Sequence, residues 1–507
     1  MTDNPKQSDT EAPKPDSWDP LIAAHHNFMN ELACCHEMFK LVSPALKSED
    51  EKRDKKIEQF AADLENTKKL KPAALLNEIS EFSKTIRKLR TADRTFRQTT
   101  IVSIVSKFDE FVMVLLRRAF DENPDWLKNA DKSVTYVQLL EIDSIQEFVA
   151  DLIRKEVDQL MRGSHHKQIA LLDSKLKIGI EDNFCHWKDF LEITERRNLF
   201  VHSGGVVNTI YLENAKRFGF EETEEKLLGA SDEYVSHAID IFYELSVRLL
   251  QGVCRRLYPE CYAEVDLRLN NDGVELLAEE RWELAERIFE YAIGIPKKMR
   301  TDDEFNYLFI INLCIAKKSL GKEINTSIKS VNWKPLHPKY QFAVALLQDR
   351  NADAAKLMCS EAVREQVDKN HLLTWPLLRD FRKTDVFASS FHEIYGYPFE
   401  QELLEKTKES FVNESERIPE QFNENEMVEK YPFTYASLNE QLSNRYVDFR
   451  INSKYHAIRK PLLCDRRFVI ERVQNDDDEG SPKPHYSKTV FHIFDKYYTL
   501  RSANNGG

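Results

Sequence analysis

Apolar residues recur with the period of an α-helix along most of the chain, and this pattern predicts its fold class. Over residues 101–120, one apolar face is formed by Ile101, Ile104, Val105, Phe108, Val112, Leu115 and Leu116. The same period predicts helices over residues 144–161, 184–202 and 232–257. Ser-Gly-Gly follows the helix at 184–202, and a left-handed glycine would close its last turn. We therefore predict a helical domain over residues 21–260, preceded by a disordered tail at residues 1–20.

Residues 261–370 show a second pattern, in which small and large residues alternate at fixed spacing. A first unit is formed by Leu269, Gly273, Leu276, Ala285, Phe289, Ala292 and Pro296, and it resembles a tetratricopeptide helix pair. Further units can be drawn through residues 312–321 and 342–355. The resemblance implies tetratricopeptide-like helical repeats. An ordinary stack of helical hairpins without a ligand groove is the open alternative.

The last part of the chain, residues 371–507, differs from the rest in being mixed in character. Residues 466–473 and 487–494 alternate apolar and polar positions, which predicts two strands. The stretch at 475–484 between them is rich in aspartate and predicts an acidic loop. The predicted fold class is mainly α, with a small mixed α/β region at the C-terminus that contains a β-hairpin.

Length, charge and cysteine spacing exclude several classes of protein. A chain of 507 residues is too long for one compact core and indicates two to four domains. The formal net charge of −13 argues against a protein that coats nucleic acid by bulk charge, but it is compatible with a local basic groove for RNA. The eight cysteines include no Cys-x-x-Cys pair, so neither a zinc knuckle nor a disulfide framework is indicated.

The sequence shows neither a targeting signal nor a familiar cofactor motif. The first twenty residues are polar, and no apolar stretch approaches the roughly 20 residues that cross a bilayer. The sequence contains no Gly-x-x-x-x-Gly-Lys, Gly-x-Ser-x-Gly or His-Glu-x-x-His motif. We therefore predict a cytoplasmic protein with reduced cysteines, no membrane association, no metal and no cofactor.

The most informative stretch, at residues 195–208, reads ERRNLFVHSGGVVN and contains Arg197-Asn198-x-x-x-His202. With Asn after the arginine, an apolar residue before the histidine and Gly-Gly-Val-Val-Asn behind it, this stretch resembles the HEPN superfamily and its Arg-x(4–6)-His signature. The resemblance covers residues from about 90 to 250. It implies a compact helical bundle, commonly dimeric. Many members are metal-independent endoribonucleases, and others are inactive and bind nucleotides or partners.

The two residue types in this motif suit metal-free RNA cleavage. A histidine can take the proton of the 2′-hydroxyl, and an arginine can stabilise the pentavalent phosphorane through its planar guanidinium. Five residues span ~500° on an α-helix, so Arg197 and His202 should point about 140° apart. They would converge only if the helix ends or distorts between them, or if two copies meet across a dimer axis.

Neighbouring residues have both functional and structural interpretations. Asn198 could hold the histidine or the phosphate, or serve as a cap or core hydrogen-bonding residue. Arg196 could be a second cation for substrate, or form an ion pair with Glu192 or Glu195. Asn208 and Tyr211 could border the cleft, or pack and cap the next segment.

For the central pair, Arg197 and His202, the structural alternative is an internal salt bridge and a buried core histidine. His165-His166 could bind phosphate or metal, although such a pair more often marks an exposed loop.

Two function hypotheses follow from these observations. The first is a dimeric, metal-independent endoribonuclease of HEPN type that cuts RNA by 2′-hydroxyl attack, acting as a toxin or an anti-phage or stress effector. The family resemblance implies tRNA anticodon loops as a typical target. Because an unrestrained nuclease would harm its host, an inhibitory or sensing partner or the C-terminal half should regulate it. The second hypothesis is a non-catalytic scaffold that binds nucleotides or proteins.

Overall fold

The computed structural model describes four long stretches and a set of strands. The long stretches are residues 19–66, 72–129, 144–301 and 303–403. The predicted tail at 1–20 lies outside the described residues except for its last two, which begin the first helix. The predicted acidic loop at 475–484 also lies outside them. Within the described residues the protein is mainly helical, which confirms the prediction of a mainly α fold.

The chain divides into two units, residues 1–382 and residues 383–507. The described residues of the first half of unit one form eight helices: α1 (Asp19–Asn66), α2 (Pro72–Glu122), α3 (Ile145–Met161), α4 (His165–Leu176), α5 (Ile180–Asn183), α6 (Trp187–Ser203), α7 (Thr209–Phe218) and α8 (Asp232–Leu257). Its second half contains a further eight: α9 (Tyr262–Ala278), α10 (Trp282–Gly294), α11 (Asp303–Ser319), α12 (Asn325–Lys329), α13 (Pro338–Leu347), α14 (Asn351–Met358), α15 (Glu361–Arg364) and α16 (Lys369–Thr374). Short 3-10 turns are present at Pro124–Asn129, Pro259–Cys261, Lys297–Met299, Pro376–Leu378 and Phe381–Lys383.

A cluster of phenylalanines forms the core around α6. The ring centroid of Phe108 on α2 lies 5.0–6.2 Å from those of Phe28, Phe111, Phe190 and Phe242. All five rings are buried, and each stabilises the fold by about 1.5–3 kcal/mol relative to an exposed position. Because Phe190 belongs to α6, this core fixes the helix that carries the Arg-Asn-x-x-x-His motif.

Helices α9 and α10 form a hairpin in the segment predicted to hold repeats. Gly273 on α9 faces Phe289 on α10, and both residues are buried. One hydrophobic cluster extends from Leu21 to Leu347, so residues on both sides of position 260 share a core. A stack of helices therefore continues from the first predicted domain into the second, and its tetratricopeptide character stays a prediction.

The described residues of the second unit include one long helix and six strands. Helix α17 (Asp385–Tyr395) is capped by Thr384, whose hydroxyl accepts a hydrogen bond from Phe387 N, and is followed by the left-handed Gly396. The strands are β1 (Gln421–Phe422), β2 (Val447–Ile451), β3 (Lys454–Ile458), β4 (Val469–Gln474), β5 (Tyr486–Ile493) and β6 (Lys496–Leu500). One sheet has the order β1-β6-β5-β4, and β2 pairs with β3. Strands β4 and β5 pair antiparallel and overlap the two segments predicted to be strands.

No helix among the described residues combines the length and the apolar character needed to cross a membrane.

Candidate functional site

The motif lies on α6, which is regular through both Arg197 and His202 and ends one residue after the histidine. Gly204 follows with φ 58° and Gly205 with φ 90°, and the Gly205 N–H donates to Leu199 O at 3.0 Å. This left-handed closure is the one that the glycine pair predicts. Since the helix neither ends nor distorts between them, Arg197 and His202 point about 140° apart.

Arg197 is held against α2 by polar contacts. Its Nη2 lies 3.6 Å from Asp109 Oδ2 and 3.5 Å from the Ser106 hydroxyl, and its Nη1 donates to Asn198 Oδ1 at 3.2 Å. Its Nε is buried and has no hydrogen-bond partner among the described residues. About a quarter of the side chain is exposed. Asn198 therefore orients the guanidinium, and the internal ion pair expected as the structural alternative for Arg197 is present.

Asp109 connects Arg197 to a second histidine, His165. The Nε2 atom of His165 lies 2.7 Å from Asp109 Oδ1. His165 is the first residue of α4, is buried and packs edge-on against Phe190. The expectation of an exposed loop at His165-His166 was wrong for His165, because the Ser164 cap starts a helix there and turns the ring into the core. His166 is exposed.

His202 is exposed on the last turn of α6 and has no hydrogen-bond or ion-pair partner among the described side chains. It is therefore not the buried core histidine of the structural alternative. The segments around it expose apolar side chains: Val201, Val206, Ile210 and Leu227 are 40–70% exposed. Val206 forms a β-bridge with Leu227. We call these four residues the flanking apolar residues. Exposed apolar side chains near an accessible imidazole form a surface that a bound molecule could bury.

The chain after His202 is fixed by a second segment. Val207 N donates to Lys226 O, Glu225 N to Val207 O and Leu228 N to Gly205 O, at 2.8–3.0 Å. A Cβ at Gly205 would lie 2.6 Å from Leu228 O, and φ at this position is +90°. Only glycine fits this close backbone approach without strain.

Asn208 is the N-cap of α7. Its Oδ1 accepts from Tyr211 N at 2.9 Å, and its Nδ2 donates to the Ser203 hydroxyl at 3.1 Å. Of the two interpretations that the sequence left open, the structure provides the capping one. Through these bonds the start of α7 is tied to the end of α6.

Arg196 and Tyr211 belong to a buried network around the carboxylate of Glu192, which is 4% exposed. Arg196 Nε donates to Glu192 at 2.7 Å, and the hydroxyls of Tyr211 and Tyr234 donate to it at 2.7 and 2.8 Å. Arg196 also lies over the Tyr234 ring, 4.4 Å from its centroid. Burial, reinforced by the charge of Glu192, raises the pKa of both tyrosines well above their usual value.

This network removes Tyr211 from the surface, because its ring is 2% exposed. It also identifies the ion-pair partner of Arg196 as Glu192, since Glu195 instead accepts from Asn214 Nδ2 at 3.0 Å. The structure thus places Arg197, Asn198 and His202 on one helix with their side chains divided between two directions. Through its hydrogen bond to Glu192, Tyr211 ties α7 to α6, and Arg196 donates to the same carboxylate.

No protein-family model, curated protein or solved structure matches the chain. The functional interpretation therefore depends on the arrangement of α6 and its neighbours. One group of possible metal ligands is present among the described residues, at the opposite end of α6, and consists of His186, Asp189 and His237.

Proposed function

We propose that this chain is a metal-independent endoribonuclease of HEPN type that works as a homodimer. One observation carries the proposal: α6 presents an accessible His202 and an anchored Arg197 in directions about 140° apart. A single copy cannot direct both at one phosphate. Two copies related by a two-fold axis bring both histidines and both arginines into one cleft.

The reaction needs only these groups. One His202 imidazole takes the proton of the ribose 2′-hydroxyl, and O2′ attacks the adjacent phosphorus. Arg197 stabilises the negative charge on the phosphorane oxygens. The bond from phosphorus to the 5′-oxygen then breaks, and the protonated His202 of the second copy gives its proton to that oxygen. The products are a 2′,3′-cyclic phosphate and a free 5′-hydroxyl.

The environment of each side chain supports its role. Arg197 is held by Asp109 and Asn198, so little conformational freedom is lost when it meets a phosphate. His202 has no partner among the described residues that would compete for its ring nitrogens. The flanking apolar residues supply surface that a second copy would bury.

Regulation completes the proposal. A metal-independent nuclease is active wherever RNA is present and therefore harms the cell that makes it. We propose that this protein acts in the cytoplasm as a toxin, or as an effector against phage or stress. The C-terminal half, or an inhibitory or sensing protein bound to it, restrains the enzyme. The RNA class expected from the family resemblance is the tRNA anticodon loop.

The test uses purified full-length protein and total RNA in EDTA. We expect the wild type to cut RNA and leave cyclic-phosphate ends, and His202→Ala and Arg197→Ala to be inactive. His26→Ala is the matched control, because His26 is an exposed histidine on α1. Expression should be toxic for the wild type and harmless for His202→Ala. A wild type that cleaves no better than His202→Ala, in the tube and in cells, contradicts the proposal.

Mixing the wild type with His202→Ala tests the shared site. A mixed dimer has one His202 where the reaction needs two, so random mixing of equal amounts should give about a quarter of the rate of the same total concentration of wild type. A site built within one copy gives about half of that rate.

The second candidate function is a non-catalytic scaffold, and a groove in the predicted repeat region favours it. This cavity of about 740 Å³ has polar lining residues that could bind an extended peptide, including Asn270, Asn271, Asn312, Lys339 and Tyr340. The same cleavage assay separates the two functions. Equal inertness of the wild type and both variants supports the scaffold.

A further inference from the structure

Two histidines and one aspartate converge at the start of α6, far from the motif. His186 directly precedes α6, Asp189 lies in its first turn and His237 comes from α8. Asp189 Oδ2 lies 3.0 Å from His186 Nδ1 and 3.5 Å from His237 Nε2. The two imidazole rings meet edge to face at 5.1 Å. All three donor atoms lie within 4.8 Å of one another.

The two separations that involve Asp189 Oδ2 are close to those of a metal site. Zinc bonds of about 2.0–2.1 Å in tetrahedral geometry place neighbouring donor atoms about 3.3 Å apart. The two separations to Asp189 Oδ2 lie on either side of that value. The His237 side chain is exposed, so it has room to adjust toward the other two donor atoms.

An ordinary helix-start pair does not account for the arrangement. Asp368 and His371 form such a pair on α16, with 2.7 Å between carboxylate and Nδ1, and only one imidazole takes part. At Asp189 a second imidazole, carried by another helix, approaches the same oxygen atom. Imidazole nitrogens together with one carboxylate are a donor set preferred by divalent transition metals.

We propose that His186, Asp189 and His237 bind a divalent transition-metal ion, with Zn²⁺ as the best match. Three protein donors leave one coordination position for water. The ion would join the first turn of α6 to α8. Asp189 precedes Arg197 by eight residues, about 12 Å along the helix, so the ion stays outside the proposed RNA chemistry. The inference is independent of the proposed nuclease function.

The experiment uses untagged, reduced, full-length protein that has been stripped of metal. Co²⁺ is the probe, because its visible absorption reports four-coordinate geometry and its near-ultraviolet absorption reports sulfur ligands. Zn²⁺ is then added in competition. We expect the wild type to bind one Co²⁺ with visible bands, without sulfur-to-metal absorption, and to lose those bands when Zn²⁺ is added.

Variants locate the bound ion. We expect His237→Ala and Asp189→Asn each to weaken binding by at least about tenfold. His371→Ala, the matched control, should bind as the wild type does. Far-UV circular dichroism checks that each variant is folded, and Zn²⁺ should raise the unfolding temperature of the wild type and the control but not of the other two.

Three results would overturn the proposal. The first is equal affinity of the wild type and His237→Ala, and the second is sulfur-to-metal absorption, which would assign the ion to cysteines. The third is a failure of the wild type to bind Co²⁺ at all.

Discussion

Replacing Gly273 by alanine tests how closely α9 and α10 pack. A Cβ at this position would lie 2.3, 2.7 and 2.8 Å from Cζ, Cε1 and Cε2 of Phe289. Real Cβ contacts are not that short, so the ring or the helix must move. The ring is fully buried, and it cannot turn into solvent to make room.

Two opposing effects decide how much Gly273→Ala changes the free energy of unfolding. Alanine is favoured over glycine in a helix interior by about 1 kcal/mol. Overpacking a filled core costs about 1–3 kcal/mol, and three simultaneous clashes with a rigid ring belong at the upper end. We therefore expect Gly273→Ala to lower the free energy of unfolding by about 1–2 kcal/mol.

Substitution of Phe289 tests whether the clash with its ring causes the destabilisation. Phe289→Leu alone removes ring atoms and leaves a cavity, which costs on the order of 1 kcal/mol. In the double variant the new methyl group occupies part of that space. The double variant should therefore be more stable than the sum of the single effects predicts, by about 1–3 kcal/mol.

The assay is urea unfolding of the full chain, followed by circular dichroism. Gly294→Ala at the end of α10 is the matched control, because a Cβ there meets nothing within 4 Å. This control should be neutral or stabilised by up to about 1 kcal/mol. A wild-type urea midpoint for Gly273→Ala, or strictly additive effects in the double variant, would show that the two helices are not in close contact.

Three further predictions concern individual side chains. Burial raises the pKa of Asp272 to about 7, above the unfolded value of about 3.9. The protonated carboxyl therefore favours the folded state, and from pH 5 to pH 8 the wild type should lose about 2–3 kcal/mol of stability that Asp272→Asn retains, as measured by urea unfolding. Tyr234→Phe removes a donor to the buried Glu192 carboxylate and should cost about 1–3 kcal/mol; a loss below 0.5 kcal/mol would contradict this network. Gly205→Ala should lower the unfolding temperature, because its Cβ would meet Leu228 O at 2.6 Å; an unchanged temperature would contradict the close approach.

Local sequence signals predicted the helices well. The glycine pair after His202 has the left-handed conformation that the sequence predicts for a helix end. The apolar face of residues 101–120 is buried as expected, because helical spacing places those side chains on one side. For the ion-pair partner of Arg196 the sequence left Glu192 and Glu195 open, and the structure has Glu192, four residues earlier on the same helix.

Contacts between distant parts of the chain could not be predicted in this way. Asp109 meets His165 across 56 residues, and Ser106 meets Arg197 across 91. Neither spacing is periodic, and both contacts depend on how α2, α4 and α6 cross. The His165-His166 pair favours an exposed loop, whereas the helix started by Ser164 buries His165. His237 reaches Asp189 only through the packing of α6 against α8.

Backbone hydrogen bonds join Gly205–Val207 to Glu225–Leu228. Two segments that are distant in the sequence therefore form the small surface that follows His202. Amino-acid changes in the connection after α7 can reshape what lies beside the His202 imidazole, while the helix and the phenylalanine core beneath it stay intact. Mutations in this connection, whether natural or introduced as a loop graft, can therefore change the surroundings of the imidazole and leave α6 and the phenylalanine core folded.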